Sequence, residues 1–68
     1  MRKLIRSTTT SAFLKKDGAW TVDIAIAAVF GDYLAILDAK TRFDLRDVEL
    51  YYSFHRFRMS QWDFATPL

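Results

Sequence analysis

The residues best suited to chemistry are few and scattered. His55, in "FHRFR", is the single histidine of a 68-residue chain that has no cysteine. Arg56 and Arg58 follow it. A lone imidazole has neither a nucleophile nor an orienting acid for a triad, and it cannot hold a metal by itself. The acidic residues Asp32, Asp38, Asp44, Asp47 and Glu49 fall where helix caps and turns belong. No spacing among them forces two carboxyls into one apolar pocket, as paired acid-base work requires. Gly18 and Gly31 are both accounted for by turns, which leaves no glycine-rich phosphate loop. The sequence therefore offers no catalytic residues, no metal ligands and no cofactor site, and a non-catalytic role is expected.

Two other stretches can recognise a partner. "DIAIAAVF", Asp23 to Phe30, places seven apolar residues in a row after an acid. The C-terminal "FHRFRMSQWDFATPL" interleaves Phe57, Met59, Trp62 and Phe64 with Arg56 and Arg58. Trp, Met and Arg are enriched at protein interfaces, and aromatics with arginines also suit single-stranded nucleic acid.

The elements that must position these residues read as follows. "RKLIR" is a short β-like run closed by the polar "STTTS". "AFLKK" and "AWTV" flank Asp17-Gly18, the pair that suits a tight hairpin turn, so residues 12–22 are expected as a hairpin. "DVELYYSF", 47–54, alternates Val48, Leu50, Tyr52 and Phe54 inward against Glu49, Tyr51 and Ser53 outward. Gly31-Asp32 opens a helix over 32–43, with Tyr33, Ile36, Leu37, Lys40 and Phe43 on one side. Leu34 falls on the opposite side, near Asp38 and Arg42.

Within "DIAIAAVF", Asp23 can cap one helical turn from Ile24 to Ala27, followed by a short extended piece at Val29-Phe30. That geometry lets Ile24, Ala27, Val29 and Phe30 face the core. Ala25, Ile26 and Ala28 cannot all join them, because neighbouring side chains on a helical turn point in different directions. The expected architecture is α+β, a small antiparallel sheet of three or four strands with one main helix packed on one face. Residues 1–56 form a single domain, and 57–68 form a C-terminal tail that packs on the domain or stays apart from it.

Composition sets the outer limits. Half the residues are hydrophobic and 16% are aromatic, enough to build a core unaided. The longest uncharged apolar run, Ile24 to Phe30, is far short of a membrane span, the N-terminus lacks the apolar stretch of a signal peptide, and the absence of cysteine fits a cytoplasmic setting. Residues 1–22 carry Arg2, Lys3, Arg6, Lys15 and Lys16 against Asp17, a net +4. A solvated charged face is the simplest account of that excess.

The order of "LIR", "AFLKKDGAWT", "DI", "VF", "DY" and "DVELYY" resembles a loosely defined group of short bacterial and phage α+β proteins of unknown function. The resemblance spans Lys3 to Phe54 and implies a fold without implying an activity. In that pattern the slots of Ala25, Ile26, Ala28 and Leu34 are polar, whereas all four are apolar here. The departure implies a natural scaffold whose surface has been re-engineered into a binding patch, with Asp23, Asp32, Asp38 or the C-terminal arginines as its polar rim. The expected function is thus protein binding, with a target protein seated on Ala25, Ile26, Ala28 and Leu34 and on Phe57, Met59 and Trp62. Homodimerisation through the same patch is one alternative. A nucleic-acid surface built from Arg2, Lys3, Arg6, Lys15, Lys16, Arg56 and Arg58 is another, ranked lower.

Overall fold

A computed structural model describes residues 1–68. In chain order it contains β1 (Arg2–Ser7), β2 (Phe13–Leu14), β3 (Trp20–Thr21), a 3-10 turn (Ile24–Ile26), α1 (Tyr33–Arg42), β4 (Val48–Ser53) and β5 (Phe64–Pro67). All pairings are antiparallel, in the spatial order β3-β2-β1-β4-β5. The α+β class agrees with expectation, but the sheet has five strands rather than three or four. The fifth is the C-terminal segment, where Phe64 to Pro67 pair with Tyr52 to Glu49. Pro67 lacks an amide hydrogen and is tolerated because β5 is an edge strand.

Local chemistry accounts for each turn. After β1, the Ser7 hydroxyl accepts the Thr9 and Thr10 amides at 3.2 Å each, which folds the hydroxyl-rich stretch back toward β2. The β2-β3 hairpin closes through Lys15 N–H to the Ala19 carbonyl at 2.7 Å and Gly18 N–H to the Lys15 carbonyl at 3.1 Å. Gly18 takes φ +91°, the left-handed conformation this loop requires. Helix α1 begins where the Asp32 carboxylate accepts the Ala35 amide at 2.8 Å. It ends in a Schellman motif: Asp44 N–H bonds the Thr41 carbonyl, Leu45 N–H bonds the Lys40 carbonyl, and Asp44 holds φ +49°.

The sheet buries both of its faces at the centre. On one face Ile5, Leu14, Val48 and Leu50 pack with Ile36 and Ala39 of α1. On the other, Leu4, Phe13 and Tyr51 pack with Ile24 and Ala27 from the 3-10 turn. Two corrections to the alternation of 47–54 follow. Tyr51, expected outward, is only 3% exposed because the 3-10 turn covers its face, and Phe54, expected inward, is 55% exposed because β4 ends one residue earlier. Ser53 is buried as well, its hydroxyl satisfied by the His55 carbonyl at 2.8 Å.

Residues 27–30 carry the chain from the 3-10 turn to α1. The strands β1 and β2 pair only at Arg6 and Phe13. In the wedge beyond, Ala28 N–H bonds the Leu14 carbonyl at 2.9 Å and Phe30 N–H bonds the Lys3 carbonyl at 2.9 Å. The segment thereby links the two faces, with Ala27 in one cluster and Phe30 against the other. Satisfying its amides on both sides turns Val29 outward. Val29 was expected in the core and is instead exposed. Tyr33 and Leu37 are exposed too, since the contact stripe of α1 runs through Ile36 and Ala39.

Candidate binding surface

The 3-10 turn sorts its own residues. Asp23 accepts the Ala25 amide at 2.9 Å and sets the turn, which buries Ile24 and Ala27 and leaves Ile26 55% exposed. Ala25 and Ala28 are half-buried. Leu34, on the first turn of α1, is 75% exposed. Of these four, Ile26 and Ala28 line one groove, and Ala25 and Leu34 are not part of its lining. Ile26 lines that groove together with Arg42 near the C-terminal end of α1, and Leu34 precedes Arg42 by eight residues, about 12 Å along the helix axis at 1.5 Å per residue.

The groove has a volume of about 510 Å³. Its apolar walls come from the 26–30 segment, from Leu14 and from Ala39 and Phe43 of α1. Lys15, Lys16 and Arg42 complete the lining, and no carboxylate contributes to it. Of the rim residues expected, none of Asp23, Asp32, Asp38, Arg56 and Arg58 lines the groove itself, and the charged side chains that do are basic. Arg42 is held by Asp38 at 2.8 Å, an exposed i,i+4 pair that fixes the guanidinium more than it stabilises the fold. The hairpin tip is anchored to the same helix end. A side chain at Gly18 would come within 2.8 Å of the Phe43 ring, so glycine permits that packing.

A second surface lies on the β4-β5 connection, Phe54 to Asp63. It joins strands that lie two and three spacings from β2, about 10–14 Å across the sheet. Phe57, Met59 and Trp62 are all exposed here, and none lines the groove. The expected contact residues Phe57, Met59 and Trp62 thus lie on the β4-β5 connection, outside the groove lining.

Asp63 organises this loop. Its carboxylate accepts the Tyr51 hydroxyl at 2.5 Å, the Phe54 amide at 2.8 Å and the Ser60 amide at 3.0 Å. Burial works to raise the Asp63 carboxyl, but the Tyr51 hydroxyl and the two amides outweigh it and hold the group below its ordinary value, with the nearby His55 adding to the effect. Burial, followed by the bond to the Asp63 carboxylate, pushes the Tyr51 phenol well above its ordinary value of 10.0. Both shifts fix the charge state each group already has at neutral pH, a neutral phenol and an ionised carboxylate. The pair suits structure rather than proton transfer.

Glu49 and His55 are engaged as well. Glu49 accepts from Arg6 at 2.6 Å, and the Arg6 guanidinium lies 4.5 Å from the centre of the Tyr51 ring. His55 uses Nδ1 to accept the Phe57 amide at 3.1 Å. No three His, Asp or Glu side chains converge as metal ligands, and no helix is long and apolar enough to cross a membrane. Neither the Asp63 hub nor the groove's basic lining was foreseen from the sequence. Asp63 gave no signal beyond a lone acid after "SQW", and Lys15 and Lys16 read simply as hairpin flanks. No family model, curated protein or solved structure matches the chain.

Proposed function

We propose that this chain is a non-catalytic protein-binding module that takes an apolar side chain of a partner into the groove beside Ile26. Lys15, Lys16 and Arg42 meet carboxylates flanking that anchor. One observation carries the reading: Ile26 is held out of the core by its own 3-10 turn, beside an apolar groove whose only charged lining is basic. An anchor that enters such a groove desolvates the apolar walls, while the cations select which partners approach. The half-buried Ala25 and Ala28 keep the turn's profile low, so a partner can reach the backbone. Leu34, eight residues before Arg42, extends the contact toward the start of α1.

Selection from a random peptide library tests it, run in parallel on the chain and on Ile26→Glu. Sequences with one large apolar residue flanked by Asp or Glu should enrich on the first and not on the second. Enrichment without such a consensus, or equal enrichment on Ile26→Glu, would refute the site. Light scattering of the chain alone should give the 8.0 kDa monomer. A dimer dispersed by Ile26→Glu would assign the groove to self-association instead.

A further inference from the structure

Exposed aromatic residues on a loose tail would say little, but the 54–63 loop is tied down along its length. Besides the three bonds to Asp63, the Ser53 hydroxyl donates to the His55 carbonyl at 2.8 Å and the Trp62 amide donates to the Ser60 hydroxyl at 3.2 Å. Arg2 of β1 donates through Nη1 to the Arg56 carbonyl at 2.8 Å, which brings a third guanidinium to Arg56 and Arg58. None of the three arginines belongs to an ion pair. The only carboxylate of the segment, Asp63, is saturated with hydrogen bonds from the loop and from Tyr51. An ordered loop thus presents Phe57, Met59 and Trp62 to solvent among unpaired cations.

A cleft of about 350 Å³ within this loop is lined by His55, Arg58, Met59, Ser60, Gln61 and Trp62, which sets polar and charged side chains beside the indole and the thioether. A flat heterocycle with an attached anion finds an indole face, donors and acceptors for its edge, and guanidinium groups for the charge. We infer that the 54–63 loop binds single-stranded nucleic acid, with Trp62 and Phe57 stacking on bases and Arg2, Arg56 and Arg58 contacting phosphates. This site is independent of the groove and uses none of its residues.

Anisotropy of a labelled thymidine oligonucleotide of about fifteen residues, titrated with the full chain, tests the inference. Three phosphate contacts at the single-strand slope of about −0.7 per contact make affinity fall about twenty-fold between about 50 and about 200 mM salt. Trp62→Ala should weaken binding about ten-fold or more, the loss expected for one stacked base, without lowering the melting temperature. The double variant Arg56→Glu, Arg58→Glu should abolish binding, and Ile26→Glu should leave it unchanged. No binding at about 50 mM salt would overturn the inference, as would equal affinity for a duplex or indifference to Trp62→Ala. Competition by polyglutamate as effective as by unlabelled oligonucleotide would overturn it in favour of an acidic protein partner.

Discussion

Replacing Asp63 with alanine removes three hydrogen bonds at once, and the structure separates their contributions. The Phe54 amide is exposed and the Ser60 amide only part-buried, so both can turn to water. The Tyr51 hydroxyl, on a residue only 3% exposed, has no other partner. A stranded buried donor costs about 1–3 kcal/mol, and the two amide bonds to a charged acceptor, discounted for exposure, add about 1 kcal/mol together. Asp63→Ala should therefore destabilise the chain by about 2–4 kcal/mol, a large share of the roughly 3–10 kcal/mol expected at this length. Tyr51→Phe, which leaves the carboxylate with its two amides, should cost only about 1 kcal/mol. The double variant should then be less destabilised than the two single changes added, by about 1–2 kcal/mol, because no hydroxyl is left to strand. Urea denaturation followed by circular dichroism measures all three, and limited trypsin digestion should cut at Arg56 or Arg58 faster in Asp63→Ala. If Asp63→Ala shifts stability by less than about 0.5 kcal/mol, or the pair proves additive, the loop is not held by this carboxylate.

Core and surface should separate cleanly: Ile36→Ala should cost about 2–5 kcal/mol, whereas Leu34→Glu should be neutral or slightly stabilising beside the helix N-terminus, both read from urea midpoints. Gly18→Ala meets both the positive φ and the Phe43 ring and should lose more than about 1 kcal/mol, while Gly31→Ala, with open space around it, should stay within about 0.5 kcal/mol. Asp44→Gly relieves the left-handed backbone at the end of α1 and should gain about 0.5–1 kcal/mol in the same assay. Stability versus pH should fall at both ends. The raised Tyr51 phenol contributes stability that is complete below its unfolded value near 10.0 and is lost as pH climbs above that, a loss reduced in Tyr51→Phe. The depressed Asp63 carboxyl contributes stability present above about pH 4 and lost as pH falls below it.

Features set by adjacent residues were legible in the sequence. The Asp17-Gly18 hairpin, the Asp32 cap and the Asp23-capped turn each depend on chemistry within a few positions. Outward placement of Ile26 and Leu34 was legible for the same reason, since it follows from helical geometry alone. Features that depend on pairing across long separations were not. β5 is only four residues long and ends in a proline, and its order comes from its ladder with β4 rather than from any pattern of its own. Tyr51 read as outward because alternation assumes one covered face, whereas here the 3-10 turn covers the second. Ala39 escaped notice because a small residue adds little to an amphipathic stripe, yet it lies against the sheet and is only 1% exposed. The candidate site divided in the same way. Its apolar residues were visible, but the basic lining from Lys15, Lys16 and Arg42 required the hairpin to be seated beside the end of α1.

Entry of a partner's apolar anchor into the groove between that hairpin and α1 is tested most directly by amide chemical shifts of the isotopically labelled chain, titrated with a peptide carrying one large apolar residue between glutamates. Shifts should concentrate at Lys15, Ala28, Phe30 and Phe43, vanish in Ile26→Glu and weaken when the glutamates are replaced by glutamines. Shifts confined to the 54–63 loop, or none at concentrations where the peptide stays monomeric, would contradict it.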